Sequence, residues 1–202
     1  MNFISIDAVS EKSNISLFIN NRCITEYFNS ENSSYLPKAI ETCLEENSLD
    51  LKKINYIAVT IGPGPYTGVR VALSISQGIA YSLSIPIVPI NTMDYLYSKV
   101  MLIGNEDKIV GFPSYGSNIF YFRIKDGVKS EIKIKDINYL KDKKIFGFQL
   151  NRFKEVIDYT KVGFSSKLIG LYSIENYTQL VSKDLNAVSP IYLDNYFIKK
   201  YK

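Results

Sequence analysis

Two stretches of the chain hold residue types that could do chemistry. Asp7 closes the apolar run Phe3 to Asp7, a place from which a carboxylate can hold a divalent metal. Gly62, Gly64 and Gly68 lie in "IGPGPYTGVR", and glycines between an apolar run and a helix can cradle phosphate. Neither stretch fits an established pattern. A dinucleotide turn needs G-x-G-x-x-G, but Thr67 stands where the third glycine falls, and Asn91 replaces the carboxylate that would close the next strand. A Walker loop needs a lysine after its last glycine, and none follows Thr67 or Val69. Pro63 and Pro65 each remove an N–H from the cradle, leaving Tyr66, Thr67 and Gly68, with Arg70 one turn in. The stretch reads better as a stiff strand-to-helix turn: the glycines permit the bend, the prolines rigidify it, and Thr67 caps the helix. No glycine follows Asp7 in Ala8-Val9-Ser10-Glu11, so Asp7 reads as the cap of its own turn.

Composition removes whole classes of mechanism. The 202 residues include no histidine, which takes away the usual base near neutral pH, the usual zinc ligand and every Ser/His or Cys/His pair. The two cysteines, Cys23 and Cys43, make no CxxC or metal-ligand spacing, and no basic leader precedes Ile4, so a reducing cytoplasm is expected. Val71 to Thr92 is poor in charge, but serines, Gln77, Pro86 and Pro89 interrupt it, and no transmembrane segment is expected. Net charge is +4. Residues 1–100 hold 7 Lys+Arg against 9 Asp+Glu, and residues 101–202 hold 17 against 11. Lys125, Lys129, Lys133, Lys135, Lys141, Lys143 and Lys144 are scattered among apolar and polar residues and read as solvated surface rather than as a nucleic-acid patch.

The elements that must position these residues follow from periodicity. Phe3 to Asp7, Ile15 to Asn20 and Cys23 to Phe28 read as an antiparallel meander. Ser33 or Ser34 offers an N-cap, Pro37 suits a first helical turn, and Leu36, Ile40, Cys43 and Leu44 repeat at helical spacing. Tyr56 to Ile61 reads as a strand buried on both faces. A helix from Thr67 to Leu83 and the run Ile85 to Ile90 complete strand, helix, strand, hence a parallel pair. The order βββαβαβ predicts an α/β architecture of the actin-like ATPase and ribonuclease H type for residues 1–97. Residues 98–202 form a smaller, divergent second α/β half, with strands near Lys108 to Phe112, Asn118 to Ile124, Glu131 to Ile134 and Lys144 to Phe148. "SPIYLDNYFIKK" reads as an extended segment, packing back on the first half, before a short basic end. No internal repeat is visible.

The helix after the turn is uncharged almost all round. Ala72, Ile75, Ile79 and Leu83 form a core stripe, while Arg70, Leu73, Ser74, Gln77 and Tyr81 form the other side, with Arg70 its one charge. A helix apolar on every face is covered on every face, and the pattern favours an intermolecular interface, with Ser74 and Gly78 allowing close helix approach.

"GPGPYTGVRVALSISQGIAYSLSIPIVPI" resembles the TsaB (YeaZ) family of bacterial tRNA threonylcarbamoyladenosine biosynthesis proteins. "ISIDAVSEKSNISLFIN", "SSYLPKAIETCLEENSLDLKKINYIAV" and "PIYLDNYFIKK" are similar to that family's opening strand, first helix and C-terminal segment. The resemblance implies a non-catalytic actin-like-fold partner of the transferase subunit TsaD, in the cytoplasm, with no cofactor of its own. ATP or ADP and a metal are expected in the partner subunits, a TsaE-type ATPase joins the complex, and tRNA is met through it. It further implies pairing with TsaD, or with a second copy, through the first two helices; the contact residues expected there are Tyr35, Ala39, Arg70, Leu73, Gln77 and Tyr81. Two rivals stand beside this reading: an actin-like phosphotransferase using Asp7 and the Gly62 to Gly68 turn on ATP and magnesium, and a tRNA-binding module using the basic second half.

Overall fold

The computed structural model describes residues 1–28, 35–104 and 106–193. Phe3–Asp7 (β1), Asn14–Ile19 (β2) and Arg22–Phe28 (β3) form the expected meander, and Asn20 and Asn21, both at positive φ, make the tight turn between β2 and β3. Tyr56–Gly62 (β4) adds to β1 in parallel, and Ile87–Asn91 (β5) adds to β4 in parallel, giving the order β3-β2-β1-β4-β5.

Alternation assigns the two faces of this sheet. Ile4 and Ile6 of β1 with Ile57 and Val59 of β4 face Leu36–Glu46 (α1) and Tyr66–Leu83 (α2). Phe3, Tyr56 and Ala58 face the opposite way. Leu36, Ala39, Ile40, Cys43 and Leu44 are the buried stripe of α1, and Pro37 lies in its first turn as expected. The caps expected at Ser33 or Ser34 lie outside the described residues. Thr67 does not cap α2: the helix already begins at Tyr66, Pro65 holds the cap position, and no side chain caps it.

The second sheet contains Lys108–Pro113 (β6), Asn118–Lys125 (β7), Val128–Lys129 (β8), Lys133–Asp136 (β9), Lys144–Gly147 (β10) and Asp158–Lys161 (β11). Its order is β8-β7-β6-β10-β11, with β9 also on β7; β6 and β7 are antiparallel, and β10 is parallel to β6 and β11. This is the strand order of the first sheet again, a duplication the sequence does not reveal. Helices are missing from its crossovers, where single 3-10 turns at Ile137–Leu140 and Leu150–Phe153 take their place.

Thr92–Met101 (α3), Ser166–Glu175 (α4) and Tyr177–Leu180 (α5), none of them expected, contribute to the core shared by the two sheets. Asn91 caps α3, accepting from the backbone N–H of Met93 at 2.9 Å, and Ser165 caps α4. Position 97 lies inside α3. Although α4 comes from the second half, it packs on the first sheet. A Cβ at Gly170 would come within 2.3 Å of Phe18 Cε2, so only glycine allows this approach. The Ser166 backbone N–H donates to Asn14 Oδ1 at 2.6 Å, and the Tyr56 and Ser173 hydroxyls lie 3.1 Å apart. Under α4, Phe18, Phe3 and Tyr56 stack at centroid spacings of 4.3 and 4.2 Å. No helix among the described residues is long and apolar enough to cross a membrane.

Candidate functional site

Asp7 is fully buried and both its carboxylate oxygens are engaged. Oδ1 accepts from the backbone N–H of Val9 at 2.8 Å and of Ser10 at 3.2 Å; Oδ2 accepts from the Ser10 hydroxyl at 2.5 Å and the Asn14 amide at 3.1 Å. Burial pushes its pKa up, and these four bonds act against that rise. Asp7 therefore caps the β1–β2 turn, as the missing glycine after it suggests.

The glycine turn packs directly on that capped turn. A Cβ at Gly64 would lie 2.8 Å from Val9 Cγ2, and one at Gly68 would lie 2.8 Å from the Ala8 carbonyl oxygen. Gly62 takes φ +98°, a left-handed value that suits glycine, and a Cβ there would sit 3.0 Å from the Ile191 carbonyl oxygen. These glycines make room for protein. The residues present do not fit a nucleotide phosphate: Val9 covers Gly64, two prolines lack an N–H, and the Asp7 oxygens are taken. The neighbouring hollow of about 290 Å³, between Gly64–Thr67 and Pro113–Tyr115, is lined by no charged side chain.

Several contact residues expected on α2 and α1 lie elsewhere than expected. Leu73 and Ala39 are only 2% and 1% exposed and belong to the core under the first sheet. Ala39 belongs to the sheet-facing stripe of α1, and Leu73 is covered because residues 185–193, whose last part was expected to pack back on the first half, lie along its side of α2. Gln77 holds that segment, its amide donating to the carbonyls of Leu185 at 2.8 Å and Val188 at 3.0 Å. The Ile191 backbone N–H donates to the Ile61 carbonyl at 2.8 Å. Arg70 Nε donates to the Tyr192 hydroxyl at 2.7 Å, with its guanidinium 4.4 Å from the Tyr66 ring centroid. Only Tyr81 and Tyr35 are exposed without such a task.

Part of the α2 side expected to be core stays open, although Ala72 is buried there as expected. Ile75 and Ile79 are only partly buried and form one wall of a groove of about 440 Å³. Its other walls are Pro37, Ile40 and Leu44 of α1 with Leu49 and Leu51 beyond it, and Glu41 and Glu45 stand among its lining. Beside it Ser74 and Gly78 are exposed, and nothing lies within 4 Å of a Cβ placed on Gly78. The spacing of Ile75 and Ile79 marked an apolar stripe, but a stripe does not say whether its cover is internal.

Comparison with known proteins gives this geometry a context. The family profile "TsaD: tRNA N6-adenosine threonylcarbamoyltransferase" matches residues 26–117. The tRNA threonylcarbamoyladenosine biosynthesis protein TsaB of Buchnera aphidicola subsp. Acyrthosiphon pisum is 24% identical over 177 residues, 86% of this chain and 79% of that protein. Other curated proteins of that name are matched over 40% to 60% of their own length. Among solved structures, YeaZ from Pseudomonas aeruginosa superposes with a TM-score of 0.70 at 16% identity, covering 95% of this chain and 99% of that one. A Bacteroides thetaiotaomicron protein described as having an actin-like ATPase fold and unknown function covers 85% of this chain and 95% of its own, with a TM-score of 0.50 at 8% identity.

Two sheets of one strand order with helices between them make this a protein of the actin-like ATPase fold, with its glycine turn packed against protein. In sequence and fold the chain is similar to proteins of the TsaB/YeaZ family, whose curated members are named for tRNA threonylcarbamoyladenosine biosynthesis.

Proposed function

We propose that the chain is a non-catalytic scaffold subunit that docks a TsaD-type transferase through the α1–α2 groove. In that role it supports formation of threonylcarbamoyladenosine in tRNAs that read codons beginning with adenine. The observation carrying this reading is the open, apolar groove ending at Ile75 and Ile79. The transferase profile spans α1 and α2, so the two proteins would offer each other related surfaces about a pseudo-two-fold axis, the simplest closed pairing. Small residues beside the groove let two helix pairs approach closely, and Glu41 and Glu45 select a partner with cations at its rim.

On this reading the protein works in the cytoplasm with no cofactor of its own. Nucleotide and metal belong to the transferase and to a TsaE-type ATPase, tRNA is met through the assembly, and the same groove serves a homodimer when the partner is absent. The rival phosphotransferase has no free carboxylate at Asp7 and no open cradle at Gly64. Co-purification with the TsaD homologue of the same source tests the proposal: the wild-type chain retains the partner, and Ile79→Arg loses it while keeping its fold. Retention by Ile79→Arg, or tight binding of Mg-ATP by the lone chain in calorimetry, would overturn it.

A further inference from the structure

The outer face of the second sheet gathers cations that the sequence scatters. Ile119, Tyr121, Arg123 and Lys125 alternate onto one face of β7. The register sets Lys135 opposite Ile119, Lys133 opposite Tyr121, and Ile109 opposite Arg123, and partners directly opposite share a face. Toward one end this face is roofed by Ile137, Leu140, Leu150 and Phe153. Toward the other it opens into a hollow of about 430 Å³ whose lining includes Arg123, Lys125 and Lys143.

All five cations, Arg123, Lys125, Lys133, Lys135 and Lys143, are exposed, and none is in an ion pair among the described residues. Asp107 is the one carboxylate lining the hollow, and it accepts the backbone N–H of Asp126 at 3.4 Å. Two tyrosines lie among the cations: Tyr139 is 59% exposed, its ring 6.2 Å from that of Tyr121 and 5.9 Å from Lys135 Nζ.

We propose that this face is a contact surface for RNA, with the cations on backbone phosphates and Tyr139 offering a ring on which an unpaired base stacks. Protein interfaces are depleted in lysine and have an apolar centre; this face has neither property. Phosphate oxygens are the complement of unpaired cations at sheet spacing, and exposed rings suit single-stranded bases. The surface is distinct from the α1–α2 groove and does not depend on what docks there.

Fluorescence anisotropy of the full chain with a labelled tRNA transcript, from 20 to 300 mM KCl, tests it. Wild-type binding is expected in the range of about 10⁻⁶ to 10⁻⁴ M, weakening steeply with salt. The triple variant Arg123→Glu, Lys125→Glu, Lys143→Glu should bind at least ~10-fold more weakly and flatten the log–log salt slope by about 2, since each phosphate contact contributes about 0.7 to 0.9. The control Lys12→Glu, Lys52→Glu, Lys53→Glu carries the same net charge and should stay within about threefold of wild type. Should the triple variant unfold, Lys133→Ala with Lys135→Ala on the same face must weaken binding instead. Absence of wild-type binding at 20 mM KCl, equal losses in test and control variants, or dependence on these cations for phosphatidylserine vesicles but not for RNA would each overturn the proposal.

Discussion

Val9 occupies the space over Gly64: a Cβ on Gly64 would fall 2.8 Å from Val9 Cγ2 and 3.1 Å from its Cγ1. Val9 is β-branched and buried, so it cannot swing aside. Two turns that could have flanked a phosphate are thereby locked together, and the glycine is kept for packing.

Gly64→Ala should lower stability by about 1 to 3 kcal/mol through overpacking, and adding Val9→Ala should recover part of the loss. Urea denaturation of the four proteins of this cycle gives the coupling, expected to exceed about 0.5 kcal/mol. Additive effects would mean that the two residues do not oppose each other.

Leu73 and Ile75 are two positions apart on α2 and should behave oppositely. Leu73→Arg places an unpaired charge in the core and should unfold the chain, seen as loss of a cooperative thermal transition. Ile75→Arg should leave that transition within a few degrees of wild type and remove the partner or the second copy, measured by light scattering or co-purification.

Burial pushes the Cys43 thiol up from 9.0 to about 11, and burial also raises Tyr56 and Tyr95 above their ordinary 10.0. Each group holds its proton more tightly folded than unfolded, so the stability it contributes is present below the unfolded pKa and is lost as pH rises through the folded one. The urea midpoint should fall between pH 9 and 11, and fall less in Cys43→Ala. A flat midpoint over that window would contradict the burial of these groups. At pH 8 thiol reagents should modify Cys43 only as fast as the chain opens.

Gln77→Ala removes both donors to the Leu185 and Val188 carbonyls. A loss of about 1 to 3 kcal/mol is expected, with faster proteolysis confined to residues 185–193. Unchanged cleavage would show that the segment is held by Arg70, Tyr192 and the Ile191 backbone bond without Gln77.

The first sheet was legible because its strands alternate over two well-separated cores and its turns carry Asn20-Asn21 and Gly62 at their required backbone angles. The helix α4 was not. "SKLIGLYSIE" shows no clear apolar stripe, because its exposed side carries Leu171 beside Lys167 and Glu175, and Gly170, a poor helix residue, is there for Phe18. On α2 the sequence showed two apolar sides but not which of them residues 185–193 would cover, so Leu73 and Ile75 exchanged roles. The five cations of the second sheet span 21 residues of sequence, and only strand register brings them together.

The placement of α4 bears on how the chain is made. Until residues 166–177 have left the ribosome, the stacked rings of Phe18, Phe3 and Tyr56 have no lid, because Gly170, Ser173 and Tyr177 are what close over them. The N-terminal sheet thus waits on residues 166–177, and a nascent chain stalled before Ser166 exposes an aromatic surface to chaperones and to other nascent copies.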